Sequence, residues 1–308
     1  MRMTERVAAI DCGTNSIRLL ITDVSDRAEE ELVREMRIVR LGQGVDATGR
    51  LAPEAIDRTL AATREYAEMI VSLHADRVRF CATSAARDAS NAEEFATAVE
   101  AIVGVRPEVL TGAEEARASF IGATRGLRAT GGDALVVDIG GGSTELVVGR
   151  DEVVAWSTSL DVGSVRMTER FLRSDPPTSS EVDACSEYLR KALAEASAGL
   201  SPVATLVGVA GTTTTVAAHV LNLAAYDRAA IHGARLTIAD TRAACASLAG
   251  MTVDERRALP FMHPGRADVI GGGALVLDGV LTSLPLATNK LIVSEHDILD
   301  GIALAPVL

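Results

Sequence analysis

Lysine is nearly missing from this chain. Of its 30 basic residues only Lys191 and Lys290 are not arginine. A coding preference for arginine explains the imbalance most simply, but the consequence is physical: any bound phosphate must be held by arginine, backbone N–H groups and hydroxyls. Aromatic residues make up 3% of the 308 positions against 48% hydrophobic overall, so the core is Ala, Val, Leu and Ile. Cys12, Cys81, Cys185 and Cys245 lie far apart and form no CxxC pair. They offer no metal framework and fit a reducing cytoplasm, the expected location. The longer apolar runs are broken by glycine or charge, which argues against a membrane span. MRMTERVAAIDCG runs straight into an acid-bearing strand without a cleavage-site pattern and does not read as a secretory signal. Acids outnumber bases 42 to 30, a net charge of −12. That balance argues against nucleic acid as a partner, while leaving room for a small or linear polyanion in a locally positive cleft.

The length suggests two domains, and the pattern repeats an α/β series twice. In the first half, strands are expected at Val7–Asp11, Ile17–Val24, Met36–Leu41 and Arg77–Cys81, with a short one at Glu108–Leu110. Helices are expected over Pro53–Leu73, from a capping box at Asn91–Glu94 toward Val103, and from a second box at Thr111–Glu114 to about Leu127. The stretch ATGGD, 129–133, reads as the linker. Strands then follow at Ala134–Ile139, Glu145–Val148, Val153–Thr158, Thr205–Val209 and Leu291–Ser294. Helices are expected at Thr178–Ala198, after Val209, at Ile238–Leu248, Val253–Leu259 and Ala267–Thr282, and at the end. The domains are drawn as 1–128, with 295–308 as a candidate addition, and 129–294.

Two segments share one layout. In AAIDCGTNSIRLLI, Asp11, Gly13, Ser16 and Leu19 match Asp138, Gly140, Ser143 and Leu146 of VVDIGGGSTELVVG, all at an offset of 127 residues (138 minus 11); Glu145 corresponds to Arg18. No Gly-Lys-Ser/Thr follows either glycine set, so neither is a Walker A loop, and the chain continues as a strand, unlike a dinucleotide fingerprint. A glycine turn between strands points successive N–H groups inward as an anion nest. Gly13, Thr14, Asn15 and Ser16, and Gly140, Gly141, Gly142 and Ser143, are therefore phosphate-binding candidates, with Thr144 as a further hydroxyl donor. Asp138 and Glu145, with Asp11, would repel phosphate unless a divalent cation lies between, and hard oxygen ligands suit Mg²⁺, with Mn²⁺ as the alternative. A plain glycine hairpin explains one such segment; two matched ones make that reading weak.

VGVAGTTTTVAA places Gly211 and Thr212 at a strand-to-helix junction, a third phosphate candidate or simply a threonine-rich cap. Glu115 falls in the first turn of the helix capped at Thr111, where it would serve either as a base for water or as an ordinary surface acid. Arg87, expected on a loop in CATSAARDASN, would fork onto phosphate or pair with a nearby acid. Spacing alone leaves both open.

These segments, together with TSAARDASN, TGAEEARASFIGA, GVAGTTTT, GRADVIGGGALVL and VSEHDILDGIAL, resemble in order the exopolyphosphatase / guanosine pentaphosphate phosphohydrolase family of the actin-like superfold. The resemblance implies an α/β chain of two actin-like (ribonuclease H-like) domains with a cleft between them. It implies Mg²⁺-dependent hydrolysis of a terminal phosphoanhydride, with Glu115 as catalytic base, Arg87 as the family's SAAR arginine and a second catalytic residue, and Asp138, Gly140, Ser143 and Glu145 at the metal and phosphate site. The implied substrate is inorganic polyphosphate. Guanosine pentaphosphate is the alternative substrate, guanosine tetra- or pentaphosphate is a candidate ligand or inhibitor, and a binding-only regulator is another reading; a homodimer is left open. Three departures stand out. The sequence stops at Leu308, where longer members carry further helical domains, so short polyphosphates are the expected substrates. SEHDILDGIAL replaces the usual Tyr-Gly-Leu-Arg-Glu-Gly pattern, and Cys12 stands where a plain aliphatic residue is common.

Overall fold

The computed structural model describes residues 5–25, 29–82, 84–87, 89–125, 127, 132–150 and 153–304. Two contact units emerge, Met1–Gly122 with Ile298–Leu308, and Ala123–Asp297. Of the expected linker, residues 129–131 lie outside the described residues, as do Thr83 and Asp88 of TSAARDASN and the last four residues of the chain.

The first unit opens with an antiparallel meander: β1 (Glu5–Cys12), β2 (Ser16–Val24) and β3 (Glu29–Ile38). Two strands join β1 in parallel, β4 (Arg77–Ala82) and then β5 (Glu108–Val109), giving the order β3-β2-β1-β4-β5. Between them run α1 (Val45–Thr48), α2 (Pro53–Ser72), α3 (Ser84–Arg87) and α4 (Ala92–Val103), and α5 (Gly112–Thr124) follows. β1 reads Val-Ala-Ala-Ile without alternation because both of its faces are covered. Ile10, Ile17, Leu19 and Phe80 pack with Tyr66, Phe95 and Val99 from α2 and α4. Val7, Ala9, Leu20 and Cys81 form the opposite face.

The second unit repeats the plan with β6 (Ala134–Ile139), β7 (Thr144–Arg150), β8 (Val153–Leu160), β9 (Thr205–Val209), β10 (Arg235–Thr237) and β11 (Lys290–Val293). Their order is β8-β7-β6-β9-β11-β10. With the antiparallel edge strand β10 set aside, both sheets run third, second, first, fourth, fifth. This is the duplicated ribonuclease H-like topology of an actin-like α/β protein. The helices are α6 (Ser164–Phe171), α7 (Ser179–Ala196), α8 (Ala210–Val220), α9 (Arg228–Ile231), α10 (Ile238–Gly250), α11 (Val253–Arg257) and α12 (Ile270–Ser283). The chain then returns to the first unit as α13 (Ile298–Leu304). No helix among the described residues is long and apolar enough to cross a membrane.

Several local expectations differ from what is found. Asn91 stands at the N-cap position of α4, but its side chain makes no capping hydrogen bond. Its amide instead pairs with the backbone of Leu51, accepting from N–H at 2.8 Å and donating to the carbonyl at 3.1 Å, because that buried segment has polar groups to satisfy. β3 lies earlier than Met36–Leu41, since residues 39–42 turn back onto the first glycine hairpin. Arg87 ends the one-turn helix α3 instead of lying on an open loop. α5 stops at Thr124, short of Leu127. α12 begins at Ile270 instead of Ala267, after a tight turn at Pro264–Arg266 in which His263 Nδ1 accepts from Gly265 N–H. α6 and β10 carried no recognised signal.

Candidate functional site

Each sheet gathers its candidates at one edge. In the first unit β1, β4 and β5 run parallel, with Cys12 beside Ala82 and Ala82 beside Val109. The Gly13–Asn15 turn, α3 with Arg87, and the start of α5 with Glu115 therefore follow the same carboxyl ends. In the second unit Asp138 lies beside Val209, and Gly208 beside Val293. The Gly140–Gly142 turn, the start of α8, and Ser294–Asp297 share that edge. Carboxyl ends of parallel strands are where open α/β sheets bind ligands.

The two hairpins close the same way. Gly13 N–H donates to Ser16 O at 2.9 Å, and Gly140 N–H donates to Ser143 O at 3.0 Å. In the first, Thr14 O accepts from Gly42 N–H (2.9 Å), and Asn15 O accepts from Val39 and Arg40 N–H (3.0 and 2.9 Å). In the second, the N-terminus of α6 plays that part. Ser164 N–H donates to Gly140 O (2.9 Å), Val165 and Arg166 N–H to Gly141 O (2.9 and 3.1 Å), and Arg166 Nε to Gly142 O (2.8 Å). A trans peptide points its C=O and N–H in opposite directions. With these carbonyls captured on one side, the N–H groups of Asn15 and Ser16, and of Gly141, Gly142 and Ser143, turn to the other. N–H groups turned this way are what an anion nest requires. Gly163 permits the second arrangement: a Cβ there would stand 2.5 Å from Gly141 C and 2.7 Å from Gly142 N. One expected donor is diverted, since Thr144 Oγ1 donates to Val162 O at 2.6 Å.

The acids in the hairpins differ in setting. Asp11 and Arg18 are Cα partners across β1 and β2, and Arg18 Nη2 donates to Asp11 Oδ2 at 2.6 Å. Asp11 was expected beside the metal; here it meets a guanidinium, and the pair neutralises itself. Asp138 and Glu145 are the corresponding partners across β6 and β7, at 6% and 1% exposure. Glu145 Oε1 accepts from Ser159 Oγ at 2.8 Å, Ser159 being its partner on β8. No group of three or more His, Cys, Asp or Glu side chains gathers as a metal cage among the described residues. Two adjacent buried carboxylates nonetheless fit Mg²⁺, which keeps several waters and takes one or two carboxylates together with substrate phosphates. Asn15 Oδ1, buried without a hydrogen bond, adds a polar atom at the first turn; with the amide turned over it would present NH₂ to a phosphate oxygen.

At the third loop α8 begins at Ala210, one residue before Gly211, and Ala210 itself has a left-handed φ of 62°. Arg266 packs its guanidinium on Gly211, where a Cβ would lie 2.5 Å from Nη2. The last three glycines of GRADVIGGG each admit a different neighbour. A Cβ at Gly271 would meet Arg256 Nη2 (2.5 Å), at Gly272 Ser164 O (2.7 Å), and at Gly273 Thr212 Oγ1 (2.7 Å). α12 thereby brings the starts of α6 and α8 together. Sequence reading passed over Arg18, Ser159, Arg166 and Arg266. Arg18 was visible as the residue matching Glu145, and Arg266 sat in a quoted motif; Arg166 and Ser159 had no local signal.

Glu115 and Arg87, separate candidates in sequence, are neighbours. Arg87 Nη1 donates to Leu110 O at 3.0 Å and reaches Glu115 Oε2 at 3.3 Å. Glu115 is 7% exposed, part of the buried stripe with Ala116, Ser119, Phe120 and Ala123, and so is not a surface acid. The capping box forms as expected. Glu114 accepts from Thr111 N–H at 2.8 Å, and Thr111 Oγ1 accepts from Glu114 N–H at 3.2 Å. The Thr111 backbone N–H, then its hydroxyl, hold the Glu114 carboxyl below its ordinary range. The box thus consumes Glu114 and leaves the next acid for the site.

The chain resembles known proteins along nearly its whole length. Exopolyphosphatase 2 of Mycobacterium tuberculosis is 53% identical over 313 aligned residues, covering 97% of this chain and 98% of its own. The crystal structure of an exopolyphosphatase-like protein superposes with a TM-score of 0.92 at 42% identity, covering 97% of both chains. That of the Aquifex aeolicus Ppx/GppA family member gives 0.82 at 36% identity, covering 97% of this chain and 96% of its own. The profile of the Ppx/GppA phosphatase family matches residues 20–306, and the chain belongs to that family.

Proposed function

We propose that this chain is an exopolyphosphatase that removes terminal orthophosphate from inorganic polyphosphate. The observation that carries this reading is the likeness to exopolyphosphatase 2 along nearly the whole of both chains. Cleavage requires in-line attack of water on the terminal phosphorus, which is mainly a matter of positioning and charge. Glu115 orients the water and accepts its proton at the carboxylate. Arg87 spends Nη1 on Leu110 and Glu115, and a guanidinium has further N–H donors that would serve a phosphate oxygen. The outward N–H groups of the glycine turns, with the Ser16 and Ser143 hydroxyls, hold non-bridging oxygens. Asp138 and Glu145 would hold Mg²⁺, or Mn²⁺, which when bound offsets charge on those oxygens.

Guanosine pentaphosphate presents the same terminal anhydride and is the alternative substrate. Orthophosphate release from polyphosphate and from guanosine pentaphosphate, measured side by side, separates the two. Faster release from polyphosphate is expected; faster release from the nucleotide reverses the assignment, and tight binding without release on either makes the chain a regulator.

A further inference from the structure

The helix α13 lies against the backbone of α5, and Gly301 is where they meet. A Cβ built on Gly301 would stand 2.6 Å from the carbonyl carbon of Ala118 and 2.9 Å from its Cα, with the carbonyl oxygen nearer still. Ordinary carbon contacts begin near ~3.5 Å, so even a methyl group must push the two helices apart. Ala118 follows Glu115 by three residues, one turn along α5 and on a neighbouring face. What displaces α5 at Ala118 displaces the Glu115 carboxylate.

α13 is itself firmly seated. Ile298, Leu299, Ile302 and Ala303 are buried with Val7, Ala9, Leu20, Cys81 and Leu110. Arg34 Nη2 donates to Asp300 Oδ1 at 2.5 Å and Nη1 to Oδ2 at 3.3 Å. Arg79 Nη1 donates to Ile302 O at 3.0 Å and Arg77 Nη2 to Ala303 O at 3.3 Å, so two guanidinium groups meet the negative end of the helix. Arg79 also forks onto Glu108, two residues before Leu110, whose carbonyl accepts from Arg87. One buried cluster therefore holds the abutment for α5 and the anchor of Arg87.

We infer that Gly301 is a positioning residue for catalysis, fixing where α5 presents Glu115 to Arg87 and to the attacked phosphorus. The inference rests on the reading of Glu115 as the base. A shift of about 1 Å at a reacting group costs on the order of 10²-fold in rate.

The test is a double-mutant cycle on the full chain, with polyphosphate as substrate: Gly301→Ala, Glu115→Gln and the two combined. Gly301→Ala is expected to lower kcat by at least about tenfold with KM changed by less than about twofold, and to cause little further loss in the Glu115→Gln background. Loss by the same factor in both backgrounds means that the two residues act independently, and overturns the inference. Near-parental turnover by Glu115→Gln alone shows that the base was misassigned, and the inference falls for that identifiable reason. Asp300→Asn repeats the cycle with the close approach intact and only the Arg34 anchor weakened. It is expected to give the same pattern at smaller size, and an Asp300→Asn protein with parental kcat overturns the inference if Gly301→Ala does not fold.

Discussion

Asp138 and Glu145 face each other as Cα partners across β6 and β7, both buried, at the very positions where the first hairpin pairs Asp11 with Arg18. Side chains directly opposite on an antiparallel pair share one face, and like charges there are destabilising. One hairpin resolves its acid with an internal cation, whereas the other sets two acids side by side. Asp138→Asn and Glu145→Gln are each expected to raise the Mg²⁺ concentration needed for half-maximal rate. Mg²⁺ titrations that coincide with the parent's would place the ion elsewhere.

Gly163 tests the nest in the second unit. The side chain in Gly163→Ala would collide with the backbone of Gly141 and Gly142, which can yield only by moving the turn. Overpacking of this kind costs about 1–3 kcal/mol. The expected result is a lower unfolding midpoint together with a raised KM for polyphosphate. Unchanged KM with lowered stability would mean that the turn does not bind substrate.

His219 gives the fold a pH dependence of known sign. Burial lowers its imidazole pKa below the ordinary value. The ring packs on Phe261 at 5.9 Å, with Nε2 3.1 Å from Ser247 Oγ. The unfolded chain takes up a proton near pH ~6.5 that the folded chain resists, so this contribution is intact above that pH and lost as the pH falls. Urea unfolding at pH 7 and pH 5 should show a smaller acid loss for His219→Gln than for the parent. An equal loss would assign the acid limb to other groups.

Chain length is a further handle. With a net charge of −12, the surface repels a long polyanion, although salt screens this beyond about 10 Å at 0.1 M. Short polyphosphates are the expected favourites, with release between cleavages. Digestion of a uniform long substrate should accumulate intermediate lengths. Direct passage to phosphate and a short end product would mean a processive enzyme with a surface that grips the distal chain.

How much of this was legible in the sequence varies by residue. The two hairpins were, because a duplicated turn leaves a fixed offset, and the match of Arg18 to Glu145 already carried the charge difference seen between them. Glu115 was placed in the first turn of its helix by the Thr111 box, but its burial and its contact with Arg87 depend on β4 and β5 lying side by side, which no local pattern encodes. Asn91 misled because the same residue type caps a helix or satisfies a distant buried backbone, and tertiary demand at Leu51 won. Gly163, Gly272 and Gly301 were unreadable as single glycines; each is required by a neighbour far away in sequence.

The most direct test of the whole account is Glu115→Gln, assayed for polyphosphate binding and for orthophosphate release on the same preparation. The amide keeps the size of the side chain and its contact with Arg87 but cannot take the proton of water. Binding near that of the parent with release slowed by about 10²–10⁴-fold is the expected result. Release near the parental rate from a protein that binds normally would contradict the account, because water would then be activated without Glu115.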